Sequence, residues 1–216
     1  MSVIKVERKI LEKNDAIAQQ LRAYFTEKKI FAVNLLSSPG SGKTSLIEQT
    51  VKNSRSLFKT AVIVGDLQTD NDAQRIAALS IPVVQIITNG SCHLEANLVR
   101  DAFQNLNENF DLLFIENVGN LVCPAGFDLG EHLKVVVAST TEGDDKPLKY
   151  PAAYRNSSAL VINKIDLIPH INSDPEAIKK NALLINNRLE IFEVSCTTNQ
   201  GIESWTDWLH SKIKQS

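Results

Sequence analysis

Cysteine is scarce in this sequence of 216 residues. The three cysteines, Cys92, Cys123 and Cys196, are too few and too odd in number to form a framework of disulfide bonds. Their number argues against the class of small secreted domains that disulfides hold together. In a reducing compartment we expect each thiol to be buried, reactive or bound to a metal.

Long apolar runs are missing as well. No run approaches the roughly 20 residues that a membrane-spanning helix needs. Charged residues interrupt the segment 1–13, where a signal peptide would have its apolar core. We therefore expect a cytoplasmic protein that has no membrane partner.

Neither sign of charge is in large excess. The sequence has 23 Lys and Arg against 25 Asp and Glu, and its formal net charge is −2. Because proteins that bind nucleic acid usually have a basic surface, this balance argues against a nucleic-acid partner. Hydrophobic residues make up 43% of the sequence and charged residues 22%, which is ordinary for a globular domain that binds proteins and small ligands.

What the sequence does contain is a regular alternation of apolar runs and helix-like segments. This alternation is typical of an α/β fold, in which helices flank a mostly parallel central sheet. The runs predicted as strands are residues 30–36, 61–64, 83–87, 112–115, 135–138, 159–162 and 191–194. The predicted helices are residues 43–52, 72–79, 92–106, 175–188 and 202–214.

An amphipathic segment, residues 10–28, precedes this pattern. Its apolar residues recur at helical spacing among charges, which predicts a leading helix that packs either on the domain or on a partner. We therefore divide the chain into an N-terminal helical extension, residues 1–29, and a main domain, residues 30–216.

The segment 37–44, Ser-Ser-Pro-Gly-Ser-Gly-Lys-Thr, lies between the first predicted strand and the helix that follows it. A strand, a glycine turn and a helix in this order are typical of a phosphate-binding loop (P-loop). The glycines let backbone N–H groups face phosphate oxygens, the lysine can reach the β and γ phosphates, and the threonine hydroxyl can hold Mg²⁺. The strict pattern begins with glycine where this sequence has Ser37, so a surface turn of similar composition is the alternative. The predicted nucleotide contacts are Gly40, Ser41, Gly42, Lys43, Thr44 and Ser45.

Asn163, Lys164 and Asp166 form the pattern Asn-Lys-x-Asp directly after a predicted strand. The Asp166 carboxylate can accept hydrogen bonds from guanine N1–H and from the exocyclic amine, whereas adenine has no donor at N1. The pattern therefore favours GTP over ATP, with Asn163 reaching the P-loop and the Lys164 stem lying over the purine. Ser195 and Cys196 end a later strand, where backbone N–H groups could meet the guanine carbonyl. The alternative is a polar surface turn.

Two carboxylates, Asp66 and Glu116, end or directly follow predicted strands. The carboxyl ends of parallel strands meet at one edge of a sheet, so we expect both near the γ phosphate, where they can hold Mg²⁺ together with Thr44. Asp70 and Asp72 are candidates for positioning the attacking water, although such acids often only cap helices. The predicted catalytic residues are Lys43, Asp66, Asp72 and Glu116.

Cys92 and His93 begin the predicted helix 92–106, and Cys123 lies seven residues after Glu116. Two thiolates and an imidazole are good ligands for Ni²⁺ or Zn²⁺. A helix N-terminus lowers the pKa of a thiol, which favours the thiolate that a metal needs. The alternative is that both cysteines are small buried residues and that His93 is a cap.

With these residues in place, the sequence resembles the HypB family of hydrogenase nickel-incorporation GTPases, which belong to the SIMIBI class of P-loop NTPases. The resemblance covers nearly the whole chain from residue 30 onward. It is most specific in Gly-Ser-Cys-His-Leu-Glu-Ala at residues 90–96 and in Glu-Asn-Val-Gly-Asn-Leu-Val-Cys-Pro at residues 116–124. It implies a Rossmann-like P-loop fold and a GTP-binding domain at residues 30–216.

The resemblance also implies a function. It implies a GTPase that dimerises with itself in the GTP state and holds nickel at Cys92, His93 and Cys123 near the subunit interface. It also implies that this metal site is coupled to dimerisation and to the nucleotide through the segment that holds Glu116 and Cys123, and that the protein delivers nickel during [NiFe]-hydrogenase maturation. The implied partners are a HypA-like nickel chaperone and the hydrogenase large subunit. Some members add an N-terminal cysteine motif or a histidine-rich tract for nickel storage, and this sequence has neither. Alternatives are a urease-type accessory GTPase and a regulatory GTPase with structural thiols.

The sequence predicts slow intrinsic hydrolysis of GTP. Glu116 stands where many GTPases have the aspartate of Asp-x-x-Gly, and Asn120 stands where fast small GTPases have the glutamine that orients water. We expect phosphate release from Mg²⁺ and GTP, without any partner, to stay below about 1 s⁻¹, the low end for ordinary enzymes. Release by Lys43→Ala gives the background, and a wild-type rate at or above that limit would contradict the prediction.

Overall fold

The computed structural model describes residues 6–106 and 109–215. Residues 1–5, which belong to the charged segment 1–13 and to the predicted extension 1–29, lie outside the described residues. Within the described ranges, no helix is both long and apolar enough to cross a membrane.

Seven strands alternate with helices in the part of the chain that the structure describes. The strands are β1 (Phe31–Ser37), β2 (Thr60–Asp66), β3 (Val83–Ile87), β4 (Leu112–Glu116), β5 (Leu133–Ser139), β6 (Ala159–Asn163) and β7 (Glu190–Glu193). The α-helices are α1 (Val6–Glu27), α2 (Lys43–Ser54), α3 (Asn71–Ala77), α4 (Ala96–Phe103), α5 (Lys146–Lys149), α6 (Pro151–Arg155), α7 (Pro175–Ile185) and α8 (Ile202–Gln215). Two 3₁₀ turns cover Cys123–Gly126 and Ile165–His170.

The strands form one sheet in the order β3-β2-β4-β1-β5-β6-β7, and every neighbouring pair is parallel. Every residue of the central strands β1 and β4 is buried, because helices cover both faces of the sheet. The α/β fold with helices flanking a parallel sheet, preceded by a helix, is therefore confirmed.

The strand order brings the predicted site residues to one edge of the sheet. β1 lies between β4 and β5, so that Leu35 pairs with Glu116 on one side and with Val135 on the other. β2 lies on the far side of β4, with Val64 opposite Glu116. The segments that leave β1, β2 and β4 therefore meet at the carboxyl edge, where parallel α/β sheets bind ligands.

Helix α1 packs on the domain. Leu21 and Phe25 belong to the same buried cluster as Leu113 and Ile115 of β4. The sequence left open whether this helix packs on the domain or on a partner, and the described residues place its apolar face on the domain. The division at residue 30 stays a prediction.

Several predicted helix boundaries are wrong. The helix predicted at 92–106 begins only at Ala96 and ends at Phe103. The helix predicted at 175–188 ends at Ile185, because Asn186 turns to extended dihedrals and donates to backbone oxygens of Tyr154 and Ser157. The helices predicted at 43–52, 72–79 and 202–214 differ from those observed by one or two residues at their ends. Helices α5 and α6 are too short to give a periodic signal.

Candidate functional site

The candidate P-loop turns between β1 and α2 at two glycines with positive φ. Gly40 has φ +77° and Gly42 has φ +98°, in a region that side chains rarely adopt. A Cβ on Gly42 would also lie only 2.4 Å from Asn163 Nδ2. Both backbone conformation and close packing therefore require glycine at position 42. The N-terminus of α2, at Lys43, follows directly.

Lys43 is buried within this loop. Its Nζ donates to Ser37 Oγ over 2.8 Å, so the serine that replaces the first glycine of the strict pattern supplies an acceptor for the lysine. Burial lowers the pKa of Lys43, while the nearby carboxylates of Glu116 and Asp72 oppose that shift. An anion in the loop would stabilise the ammonium form in the same way.

Glu116, at the end of β4, contacts the P-loop directly. Its Oε1 accepts a 2.7 Å hydrogen bond from Thr44 Oγ1. Its Oε2 is buried and has no hydrogen-bond partner among the described residues. Burial raises the pKa of Glu116 to about 7, despite the opposing effects of Lys43 and Thr44. The carboxylate thus has a free oxygen directed into the protein beside the hydroxyl predicted to hold Mg²⁺.

The other predicted acids lie around the same loop. Asp66 Oδ1 accepts from the backbone N–H groups of Gln68 and Thr69, at 3.0 and 2.8 Å. Burial would raise the pKa of Asp66, but these hydrogen bonds lower it overall. Asp72 forms an ion pair with Arg75, which also donates to the Ser45 hydroxyl. Asp70 is the N-cap residue of α3, with no capping hydrogen bond from its side chain.

The candidate base-binding residues lie on the opposite side of the P-loop, after β6. Asn163 Nδ2 donates to Ser41 O over 3.0 Å, and Asn163 Oδ1 accepts from Cys196 N over 3.2 Å. Asn163 therefore joins the P-loop to the loop that holds Ser195 and Cys196. Lys164 Nζ donates to Gly40 O over 2.7 Å.

The Asp166 carboxylate has one oxygen to which no described residue donates a hydrogen bond. This oxygen, Oδ1, is buried. A buried acceptor without a partner is costly, and two N–H donors on a ligand would satisfy this carboxylate. The arrangement fits the edge of guanine that the sequence predicted.

Cys92, His93 and Cys123 come together although the sequence separates the cysteines by 31 positions. One ligand atom from each residue lies within 4.8 Å of the other two. His93 Nε2 is buried without a hydrogen-bond partner among the described residues, and the ring lies 4.0 Å from that of Phe127 between centroids. Burial lowers the pKa of His93, which keeps the imidazole in the neutral form that binds metals.

One expectation for this cluster is wrong. Cys92 lies four residues before α4 and not at its first turn, so the helix does not activate its thiol. Instead the pKa of Cys92 is raised, first by its hydrogen bond with Cys123 and second by burial. A divalent cation would have to displace the proton of the Cys92 thiol in order to bind this sulfur. The third thiol differs, because burial raises the pKa of Cys196 to about 11.

Sequence reasoning missed several residues at this edge. Glu142 forms a short hydrogen bond with the Ser41 hydroxyl, and Lys146 Nζ donates to Ser38 Oγ over 3.1 Å. Asn117 and Asn120, between Glu116 and Cys123, contact the loop that contains Cys92. Their signals were their place in the 116–124 string and the position of Asn120 where fast small GTPases have a glutamine, and neither signal predicted these contacts.

Residues 31–193 match the family model described as CobW/HypB/UreG, nucleotide-binding domain. A curated relative, the hydrogenase maturation factor HypB of Rhizobium leguminosarum bv. viciae, is 49% identical over 208 residues, which are 96% of this chain and 70% of the relative.

Two solved structures are similar throughout. HypB from Archaeoglobus fulgidus is 38% identical with a TM-score of 0.88, and the match covers 94% of this chain and 100% of that chain. HypB from Helicobacter pylori, solved in complex with nickel, is 35% identical with a TM-score of 0.89, and the match covers 94% of this chain and 96% of that chain.

The raised pKa of Glu116 predicts a pH dependence of stability when nucleotide and divalent cations are removed. Between the ordinary value of 4.5 and about 7, the folded protein keeps a proton that the unfolded chain releases. The free energy of unfolding should therefore fall as pH rises through this range. Glu116→Gln lacks this ionisation, so its stability relative to wild type should increase by roughly 2–4 kcal/mol from about pH 5 to about pH 8.

Urea denaturation at both pH values measures this difference. The exposed Glu203 on α8 provides a matched control, because Glu203→Gln removes one carboxylate from the surface. Equal pH dependence of wild type and Glu116→Gln would show that Glu116 ionises normally in the folded protein.

Proposed function

This chain belongs to the HypB hydrogenase maturation factors of the CobW/HypB/UreG family, and from this membership we propose that it is a GTP-hydrolysing nickel metallochaperone. The observation that supports the metal part most directly is the convergence of Cys92, His93 and Cys123 within 4.8 Å, beside the nucleotide site. The family's P-loop fold supports nucleotide hydrolysis in general. GTP as the substrate and nickel as the cargo are our proposals.

In this proposal the P-loop holds the phosphates of GTP. Backbone N–H groups at the start of α2 and the Lys43 ammonium would bind the β and γ phosphate oxygens. Lys43 would exchange its acceptor Ser37 Oγ for a phosphate oxygen, which offsets the cost of its burial. The tight turn at Gly42 keeps the loop open for this contact.

Thr44, Glu116 and Asp66 are the proposed Mg²⁺ ligands, directly or through water. The Thr44 hydroxyl donates to Glu116 in this structure, so a cation would take the place of that hydrogen bond. Glu116 Oε2, buried without a partner among the described residues, fits a cation at this position. Bound Mg²⁺ would neutralise the charge that develops on the phosphates. Asp72 is the proposed residue for orienting water, and its charge acts on the pKa of both Lys43 and Glu116.

For the cargo, three soft ligands leave one position of a four-coordinate metal open. Ni²⁺ and Zn²⁺ both accept such N and S donors, so metal supply selects between them in the cell. The nickel complex of the Helicobacter pylori relative supports nickel. A regulatory GTPase with purely structural thiols would not need an imidazole beside them, whereas His93 Nδ1 lies 3.8 Å from Cys92 Sγ.

The open position is the natural route for transfer. A HypA-like chaperone or the hydrogenase large subunit would supply the incoming ligand, and a second copy of the chain, bound in the GTP state, could complete the coordination. We further propose that the protein acts in the cytoplasm, where hydrogenase precursors are matured. A urease-type role remains the alternative within the family.

Asp166 tests the base specificity. Asp166→Asn replaces an acceptor with an amide, which can donate to the C2 carbonyl of xanthine but cannot accept both guanine donors. We expect the affinity for GTP to fall by about 100-fold or more and XTP to bind in its place. Competition with a fluorescent nucleotide measures both. If the variant lost GTP and did not gain XTP, Asp166 would be structural; an unchanged GTP affinity would place the base elsewhere.

Cys123 tests the metal site. Cys123→Ala removes one of three ligands while leaving the P-loop intact, so we expect nickel binding at stoichiometric protein concentration to be lost and the GTP affinity to stay within about threefold. Cys196→Ala is the matched control, because Cys196 lies outside the ligand cluster and should keep one nickel per chain. Equilibrium dialysis of nickel and nucleotide titration give the two readouts.

The two readouts separate the interpretations. Loss of GTP binding together with nickel in Cys123→Ala would mean that this thiol supports the fold. Full nickel binding by Cys123→Ala, or its loss in Cys196→Ala, would contradict the proposed ligand set.

A further inference from the structure

Two asparagines join the loop that holds Cys92 and His93 to the segment that begins at Glu116. The first, Asn117, is fully buried. Its Oδ1 accepts from the backbone N–H of Leu94 over 3.2 Å, and its Nδ2 donates to Asn34 Oδ1 on β1 over 3.3 Å. Asn117, directly after Glu116, thus forms a hydrogen bond with the backbone of Leu94, directly after His93.

The second, Asn120, makes contacts in three directions. Its Nδ2 donates to Cys92 O over 3.3 Å, and its Oδ1 accepts from Val122 N, beside Cys123, over 2.9 Å. Its backbone forms an isolated antiparallel bridge with Ser37, whose hydroxyl accepts from Lys43. One residue therefore touches the start of the P-loop and the neighbourhood of both cysteines.

The segment between these asparagines is packed tightly against the P-loop. A Cβ on Gly119 would lie 3.1 Å from Pro39 Cα, so a side chain here would require the P-loop to shift by a few tenths of an ångström. Because close-packed elements move together, a change in the P-loop has to be accommodated by residues 116–120. The proposed exchange of Thr44 from Glu116 to Mg²⁺ starts such a change at Glu116, directly before Asn117.

We propose that Asn117 and Asn120 are positioning residues that transmit the state of the nucleotide to the metal ligands. This proposal rests on the proposed binding of GTP and nickel, and it names how the two are linked. When Glu116 releases Thr44, the two amides shift with their segment. They then change the positions of Cys92 and His93 relative to Cys123. By linkage, nickel changes the nucleotide affinity by the same factor.

The test measures the nickel affinity of the full chain in two states, with GDP and with a non-hydrolysable GTP analogue, both with Mg²⁺. The ratio of the two dissociation constants is the readout, because general loosening of the structure would change both constants alike. Asn120→Ala is the main variant, since this side chain is partly exposed and its bridge to Ser37 uses only backbone atoms. Asn117→Ala is the second variant.

Asn14→Ala is the matched control. Asn14 is also a buried asparagine whose Oδ1 accepts a backbone N–H near the metal loop, that of Ala96 over 2.8 Å. Its other hydrogen bond goes to Asp128 O, so it makes no hydrogen bond with the segment 116–120. Asn14→Ala removes a comparable hydrogen bond but leaves the hydrogen bonds of Asn117 and Asn120 intact.

We expect the wild-type ratio to differ from one by about fivefold or more, as is usual for coupled sites. In Asn120→Ala the ratio should move toward one by at least about twofold, the effect of one lost hydrogen bond, while Asn14→Ala keeps the wild-type ratio. An unchanged ratio in Asn120→Ala, or an equal loss in Asn14→Ala, would overturn the proposal.

The nickel affinity of the wild-type protein distinguishes a failure of this proposal from a failure of the proposed function. If wild type binds no nickel, the proposed function fails and the link fails with it. If wild type binds nickel with equal affinity in both nucleotide states, nickel binding and GTP hydrolysis stand, and only the transmission through Asn117 and Asn120 is overturned.

Discussion

The parallel pairing of β1 with β4 is the constraint on which the whole site depends. The pairing places Leu35 opposite Glu116, and both strands are buried on both faces. A slip of one residue would turn every side chain to the other face and into a packing site that fits a different residue, so close packing on both faces fixes the register. Because the P-loop leaves β1 and the segment toward Cys123 leaves β4, this register alone puts Thr44 beside Glu116.

The polar groups at this edge are arranged for ligands more than for stability. Glu116 Oε2, Asp166 Oδ1 and His93 Nε2 are each buried without a hydrogen-bond partner among the described residues, and each belongs to a different part of the site. Such a group costs about 1–3 kcal/mol. A cation beside Glu116 and a guanine base at Asp166 would remove two of these costs, so the liganded protein should be the more stable one.

Much of this arrangement could be predicted from the sequence. The strands of a buried parallel sheet are continuous apolar runs, and the P-loop and Asn-Lys-x-Asp patterns have chemistry that follows from residue type. The ligand cluster was predicted from the chemistry of Cys92, His93 and Cys123. Their mutual distance needed the structure, because 31 positions separate the cysteines.

The local structure at Cys92 could not be predicted in this way. Helical periodicity continues back through residues 92–95, but Asn117 and Asn120 bind backbone groups of Leu94 and Cys92 and hold this loop out of α4. The hydrophobic periodicity of a segment does not show contacts with residues more than 20 positions away. The contacts of Ser37 and Glu142 could not be predicted for a similar reason. Serine and glutamate are common residues, and the partners of these two lie in other segments.

The strand order also affects how the chain is made. β1 has no β partner until β4 emerges, because Phe31 pairs with Leu112 and Val33 pairs with Leu133. At synthesis rates of about 5–20 residues per second, β1 waits roughly 4–16 seconds for its first neighbour. During that time the sheet's central strand is an unpaired apolar edge. Nascent chains of this topology therefore depend on α1 or on chaperones to cover β1 early. The strand order that delays assembly of the site also prolongs the time during which the chain can misassemble.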